Sequence, residues 1–322
     1  MQIISDIENF QAPWDHCVAT LGDFDGLHRG HRTLIDKTIQ SSSQQGRDTI
    51  LVTYDPSPKK VLQKLKFDSR IYLRDEKIFL LQHFNLRAAV FLPFDLNMAR
   101  MTGKRFLYDI LIKKLKIKEF FLGYDHKFGL NRRGDFHYMQ LASRRDSFTV
   151  HQTSSVNMDD GTIISSSAIR KLLRSGDIHR ANDLLGYPFF VMGQVIPGRQ
   201  RGRQLGVPTA NLNIPPEKII PGEGVYFCAV LFGGQMLKAV ANIGFNPTFA
   251  NIDLSVEIHI LDFSRDIYGE TLRVFFFEKI RAEKKFSNVE ELKSQIFNDI
   301  ERARNVSDSV FDLKRLEVPL EQ

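Results

Sequence analysis

Cysteine is scarce: Cys17 and Cys228 are the only two in 322 residues, and both lie inside apolar runs. That excludes a disulfide framework or a cysteine metal cluster and leaves two buried thiols as the expectation. Long hydrophobic runs are missing as well. The longest, such as Arg87 to Phe94 and Val225 to Phe232, stop far short of the ~18 to 20 residues that a membrane helix needs. Met1 to Phe10 carries acids where a secretory leader would be basic and then apolar, so a cytoplasmic protein with no membrane partner is expected. No internal repeat, low-complexity tract or long block of like charge is present, which removes solenoids and polyelectrolyte tails.

What is there is ordinary for a globular chain: 43% hydrophobic and 25% charged residues. The length is about twice that of a ~150-residue domain, so two domains and a sizeable core are expected. The net charge of +6 is unevenly placed, with 28 Lys and Arg against 21 Asp and Glu in residues 1–185, and 16 against 17 in residues 186–322. The positives are scattered as Lys59-Lys60, Lys113-Lys114 and Arg144-Arg145, without aromatic interleaving. Nucleic acid is therefore not expected, while a polyphosphate ligand would be favoured by the same field.

The first half alternates. Cys17–Leu21, Thr49–Tyr54, Ala88–Phe94, Glu119–Tyr124 and Phe148–His151 read as short apolar strands. Arg32–Ser43, Asp75–His83, Gly103–Leu115 and Phe136–Ser143 carry apolar residues three and four apart, as helices do. This pattern predicts an α/β doubly wound parallel sheet whose ligands sit at the carboxyl ends of the strands. Ser165–Ser175 and Ile178–Leu185 read as two further helices. From Phe189 the pattern changes to strands without intervening helices: Phe189–Ile196, Val225–Phe232, Leu237–Ile243, Leu254–Leu261 and Leu272–Ile280. An antiparallel barrel or sandwich fits, closed by a helix from Val289 to about Arg304. The domain boundary is expected near Gly186-Tyr187-Pro188, giving domains 1–185 and 186–322.

Chemistry is sought in the loops after strands. Gly22-Asp23-Phe24-Asp25-Gly26-Leu27-His28-Arg29-Gly30-His31 follows the first strand and leads into a helix. Its glycines allow close backbone approach, and the helix start offers N–H groups to an anion. His28 and His31 could point at one phosphate and donate hydrogen bonds to charge building up on a transferring phosphoryl group. The plainer reading is a turn with one core or capping histidine. Ser165, Ser166 and Ser167 begin a helix in which Arg170, about one turn in, could place its guanidinium on phosphate oxygens. Serine caps without ligands are also common. In the second half, Gly198-Arg199-Gln200-Arg201-Gly202-Arg203-Gln204-Leu205-Gly206-Val207-Pro208-Thr209-Ala210-Asn211 is either a phosphate loop or a solvated basic loop. It lacks the Gly-Lys-Ser/Thr ending of a P-loop. Glu257 alternates with apolar residues on a strand, where it is either a solvent-facing residue or a positioned base.

The string from Gly22 to His31 resembles the His-x-x-His fingerprint of nucleotidyltransferases. More narrowly it is similar to the version in prokaryotic bifunctional riboflavin kinase/FMN adenylyltransferases. Thr53-Tyr54-Asp55-Pro56-Ser57-Pro58, Gly123-Tyr124-Asp125-His126-Lys127-Phe128-Gly129 with Arg132-Arg133-Gly134-Asp135, and Ser165-Ser166-Ser167-Ala168-Ile169-Arg170 resemble further segments of that family, with Ser57 where His is usual and His126 where Phe is common. Pro208-Thr209-Ala210-Asn211 resembles the riboflavin kinase signature, and the likeness runs from about residue 17 to residue 304. It implies adenylylation of FMN to FAD in the first domain, with Gly22, Phe24, Asp25, Gly26, Gly30 and Ser165–Ser167 on ATP, His28, His31 and Arg170 on the triphosphate, and Asp125 and Arg132 on the flavin. It implies phosphorylation of riboflavin to FMN in the second, with Gly198, Gly202, Arg203, Gly206, Pro208, Thr209 and Asn211 on ATP, Thr209 and Asn211 on Mg²⁺, and Glu257 as base. ATP is then co-substrate, riboflavin and FMN are substrates, and transient self-association stays open. Because of Ser57 and His126, a kinase with an impaired or differently specific nucleotidyltransferase half also stays open. The rivals are a nucleotidyltransferase acting on another phosphate ester and a non-enzymatic flavin or nucleic-acid binder.

Overall fold

The computed structural model describes residues 1–62, 69–198, 202, 205–247, 252–307 and 310, with the side chains of 245–247 and 252–254 left aside. Arg203, expected on ATP, lies outside the described residues, as do Arg199, Gln200 and Arg201. The chain forms two compact units. Met1–Asp68 and Lys77–Ser165 make the first; Ser69–Glu76 and Ser166–Gln322 make the second.

The first unit is built on a six-stranded parallel sheet. Its strands are β1 (Gln2–Ile4), β2 (Cys17–Leu21), β3 (Asp48–Tyr54), β4 (Ala88–Leu92), β5 (Ile117–Leu122) and β6 (Thr149–Gln152), in the order β1-β4-β3-β2-β5-β6. All five ladders are parallel. β2 and β4 are buried along their whole length, as expected of strands covered on both faces. The order reverses direction between β2 and β5, so the crevice at their carboxyl ends is the switch point where doubly wound sheets bind ligands. Helix α1 (Arg29–Gln44) follows β2. The helix expected over Gly103–Leu115 is α-helical only over Gly103–Arg105 and then winds more widely over Phe106–Lys114. Leu115 N–H accordingly bonds the Ile110 carbonyl, five residues back, at 3.0 Å.

The second unit is a closed antiparallel barrel. Strands β7 (Phe190–Ile196), β8 (Ala210–Asn213), β9 (Gly224–Phe232), β10 (Gln235–Pro247), β11 (Ile252–Ile260) and β12 (Thr271–Arg281) run around it in the order β10-β11-β8-β7-β12-β9. Helices α2 (Ser166–Ser175) and α3 (Ile178–Leu185) precede it. By packing they belong to this compact unit, which takes in the chain from Ser166. The reason is local: Asn182 Nδ2 donates to the Phe276 carbonyl at 2.9 Å, and its Oδ1 accepts from Phe189 N–H at 2.7 Å, tying α3 to the barrel wall. Residues 69–76 join the same unit through a buried ion pair, Lys218 Nζ to Glu76 Oε2 at 2.9 Å. Glu76 also accepts from Met192 N–H at 2.9 Å, and the ammonium lies 4.3 Å from the Tyr72 ring centroid. The closing helix α4 (Val289–Arg304), capped by Asn288 Oδ1 on Glu291 N–H at 2.8 Å, buries Ile300 and Ala303 against Val207, Val225 and Phe227.

Candidate active sites

The loop between β2 and α1 is wound tightly. Phe24, Gly26 and Leu27 all have positive φ, at 48°, 95° and 41°. Gly26 takes that conformation without cost, whereas buried Phe24 and Leu27 are held in it by packing. His28 caps α1: its Nδ1 accepts from His31 N–H at 3.4 Å. A neutral ring whose Nδ1 accepts carries its proton on Nε2, so His28 offers a donor there. The His28 and His31 rings stack with centroids 3.7 Å apart and planes at 18°, and the Phe24 ring meets His31 edge-on at 5.3 Å. Burial, followed by the charges of His28 and Lys77, holds His31 well below the ordinary histidine range. His31 thus stands as a neutral imidazole beside His28 at a helix N-terminus that has no acidic residue in its first turn.

Across the switch point, the loop after β5 carries Asp125, exposed, and His126. Burial lowers His126 to about 4, and its Nε2 is buried without a hydrogen-bond partner among the described residues. Aromatic rings run along the same carboxyl edge: Phe94 against Tyr54 at 5.5 Å, Tyr54 against Phe106 at 6.5 Å, Phe106 against Phe128 at 5.5 Å, and Phe128 against His126 at 6.0 Å. Arg132 is exposed with φ 57° in the following turn. Ser57, in the place where His is usual, is buried and accepts from Lys60 N–H at 3.1 Å at the start of helix Pro58–Leu62. Ser166 and Ser167 open α2 in the second unit; Ser165 is the last residue of the first. Arg170 is buried in the second unit, its Nε donating to the Ser69 carbonyl at 2.7 Å.

In the barrel, β8 decides the geometry. It pairs with β11 so that Asn211 stands opposite Glu257 and Ala210 opposite Ile258. Thr209 Oγ1 donates to Glu257 Oε2 at 3.4 Å. Three oxygen-bearing residues thus come together, Asn211 and Glu257 on paired strands and Thr209 just before β8. A Cβ on Gly198 would lie 2.0 Å from Asn211 Nδ2, so a side chain there would push the asparagine aside. Gly202 accepts from Val207 N–H at 2.8 Å, folding the turn before Pro208, and Gly206 sits in it with φ 78°. His259 Nδ1 lies 2.8 Å from the Pro208 carbonyl. Beside Thr209 opens a cavity of about 350 Å³, lined by Val195, Ile258, Phe263 and Tyr268 together with Arg265 and Asp266.

Three features are not evident in the sequence. Strand β8 hides inside a Gly/Pro-rich motif and is only four residues long. The wall from Phe263 to Tyr268 reads there as a turn between strands. Lys77, in Asp75-Glu76-Lys77, looks like surface charge on a helix, yet it is buried, with Nζ on the Asp23 carbonyl at 2.6 Å and on Thr53 Oγ1 at 3.2 Å. Among the described residues, no cluster of three or more His, Cys, Asp or Glu could hold a metal. No described helix is long and apolar enough to cross a membrane.

Known proteins resemble both units. Residues 10–168 match the family model of FAD synthetase and residues 185–307 that of riboflavin kinase. A bifunctional riboflavin kinase/FMN adenylyltransferase of Escherichia coli K12 is 36% identical over 306 residues, 94% of this chain and 97% of its own. One from Haemophilus influenzae is 34% identical over 305 residues, 94% and 98%. A crystal structure from Streptococcus pneumoniae, described as a macrolide-efflux protein, superposes with a TM-score of 0.86 at 30% identity, covering 95% of this chain and all of that one. With the His-x-x-His loop at the sheet's switch point and the Thr-Ala-Asn strand against Glu257 in the barrel, the chain belongs to the family of bifunctional riboflavin kinase/FMN adenylyltransferases.

Proposed function

We propose that the barrel unit phosphorylates riboflavin and that the parallel-sheet unit adenylylates the FMN so formed, each from its own ATP. The observation that carries the kinase assignment is Glu257 set opposite Asn211 and bonded to Thr209. The 5′-hydroxyl of the ribityl chain attacks the γ-phosphorus; Glu257 takes the hydroxyl proton as the oxygen–phosphorus bond forms, and ADP leaves. Thr209 and Asn211 bring hard oxygen donors to one point, a pair that suits Mg²⁺ with several waters kept, and leave the Glu257 carboxylate for the proton. When bound, Mg²⁺ supplies charge neutralisation at the phosphates. The neighbouring cavity, with apolar walls and a few polar side chains, suits the adenine.

In the first unit, an FMN phosphate oxygen attacks the α-phosphorus of ATP and pyrophosphate leaves. The attacking monoester is already largely ionised near neutral pH, so no general base is needed and positioning carries the rate. His28 and His31 donate to the triphosphate, His31 as a neutral ring, and the start of α1 supplies backbone N–H groups. Arg170 and Ser165–Ser167 are assigned to the ATP phosphates, and Asp125, Arg132 and the aromatic edge ending at His126 to the flavin. Dependence on cellular ATP supports a cytoplasmic location. The experiment is a time course of purified protein with riboflavin, ATP and Mg²⁺, with the flavins separated by chromatography. FMN should rise first and FAD follow. FMN alone would refute the adenylyl-transfer assignment, and neither product from folded protein would refute both.

A further inference from the structure

Lys77 is a buried cation, 2% exposed, and none of the reasoning above uses it. It projects from helix Arg74–Leu81 to the underside of the loop that carries His28 and His31. Its ammonium donates to the Asp23 carbonyl at 2.6 Å and to Thr53 Oγ1 at 3.2 Å. Thr53, in turn, donates to that same carbonyl at 3.1 Å. Asp23 is the residue just before Phe24, where the backbone first turns into positive φ. A buried ammonium is costly to keep unless its bonds are needed. Here the bonds clamp the carbonyl at the base of a strained turn.

From this we infer that Lys77 is a positioning residue for adenylyl transfer: it holds the Gly22–His31 loop in the shape that presents His28 and His31, and its fixed charge opposes a proton on His31. The inference rests on the adenylyl-transfer reading given above. Geometry carries the first half, and Coulomb's law the second. A positive charge bonded to the loop base and a stacked imidazole 3.7 Å away both oppose a proton on His31. Among the described residues, the charged groups that act on that ring are His28 on its own segment and Lys77 from the helix. Lys77 is among the causes that lower His31, after burial and His28. A neutral His31 donates one hydrogen bond without competing for the nucleophile's proton, which suits a reaction that needs no base.

Three variants of the full chain separate the two duties. Lys77→Met removes both the clamp and the charge; FAD formation from supplied FMN should fall about a hundredfold, as for a reacting group displaced by an ångström, while FMN formation in the same sample stays at the parental rate. Lys77→Gln keeps a donor for Asp23 and removes the charge, so its FAD formation should stay within about tenfold of the parent, near the worth of one altered hydrogen bond. Lys77→Arg keeps the charge. The readout that a merely structural role would not move is the titration of His31, followed by NMR of ¹³C-labelled histidine and assigned with His31→Gln. In the parent and in Lys77→Arg it should resist protonation well below pH 6.5; in Lys77→Gln it should protonate nearer 6.5. Parental FAD formation by Lys77→Met, or an unmoved His31 titration in Lys77→Gln, overturns the inference. A parent that forms no FAD at all would instead overturn the adenylyl-transfer reading on which it rests.

Discussion

Glu257→Gln is the sharpest perturbation of the barrel site. The substitution keeps size and shape, and the glutamine Oε1 can still accept the Thr209 hydroxyl. That bond is long, 3.4 Å, so its loss would cost less than about 1 kcal/mol in binding. The KM for ATP should therefore change by less than about fivefold. What disappears is the acceptor for the ribityl hydroxyl proton. A positioned general base is worth ~10² to 10⁴ in rate; with the carboxylate fixed by a strand on one side and Thr209 on the other, a loss near the middle, about 10³-fold or roughly 4 kcal/mol, is expected. The assay is single-turnover formation of FMN from riboflavin at saturating ATP, with FAD formation from supplied FMN measured in the same preparation. FMN formation at the parental rate would remove Glu257 from the proton transfer. Loss of both activities in folded protein would refute the separation of the sites.

Further expectations follow from single contacts. Gly198→Ala would place a Cβ 2.0 Å from Asn211 Nδ2, so steady-state kinetics should show FMN formation falling at least about a hundredfold through displaced ligands, with the thermal transition little changed. His126 has a folded value of about 4 against an ordinary 6.5. Its neutral form is the one that folding favours, so stability should be lost as the pH falls from 6.5 toward 4, by up to about 2 kcal/mol at pH 5. His126→Phe should lose less of the first unit's melting temperature between pH 7 and pH 5 than the parent does, and an equal loss would refute the burial argument. Cys17 and Cys228 are both buried with their thiols pushed up by desolvation, so a thiol reagent should leave the native protein unmodified and react with two groups after denaturation.

The parts of the fold that were legible were those in which local pattern and packing agree. Largely apolar β2 and fully apolar β4, and the amphipathic α4 behind its Asn288 cap, follow from hydrophobic period and capping chemistry alone. Strand β1, three residues long, carries too little pattern to be seen, and it exists because β4 has an open edge for it. Strand β8 was masked by Pro208 and the glycines before it, yet the barrel closes only through its ladders to β7 and β11. The same strand sets Asn211 against Glu257, two residues 46 positions apart that no spacing rule would pair. The stacking of His28 on His31 could be anticipated, since three-residue spacing at a helix entrance puts two rings on one face. Lys77 could not. Whether a lysine between Glu76 and Ile78 faces water or the base of a loop depends on which helix face the tertiary structure covers, and charge in the sequence does not say.

The most direct test of two independent sites in one chain is a mixing experiment. Glu257→Gln and His28→Ala proteins are each given riboflavin, ATP and Mg²⁺, separately and together, and FAD is measured by chromatography. The expected result is that Glu257→Gln makes neither FMN nor FAD, His28→Ala stops at FMN, and the mixture restores FAD, because FMN released by one protein is adenylylated by the other. A mixture that makes no FAD while Glu257→Gln still converts supplied FMN, or either variant making FAD alone at the parental rate, would contradict it.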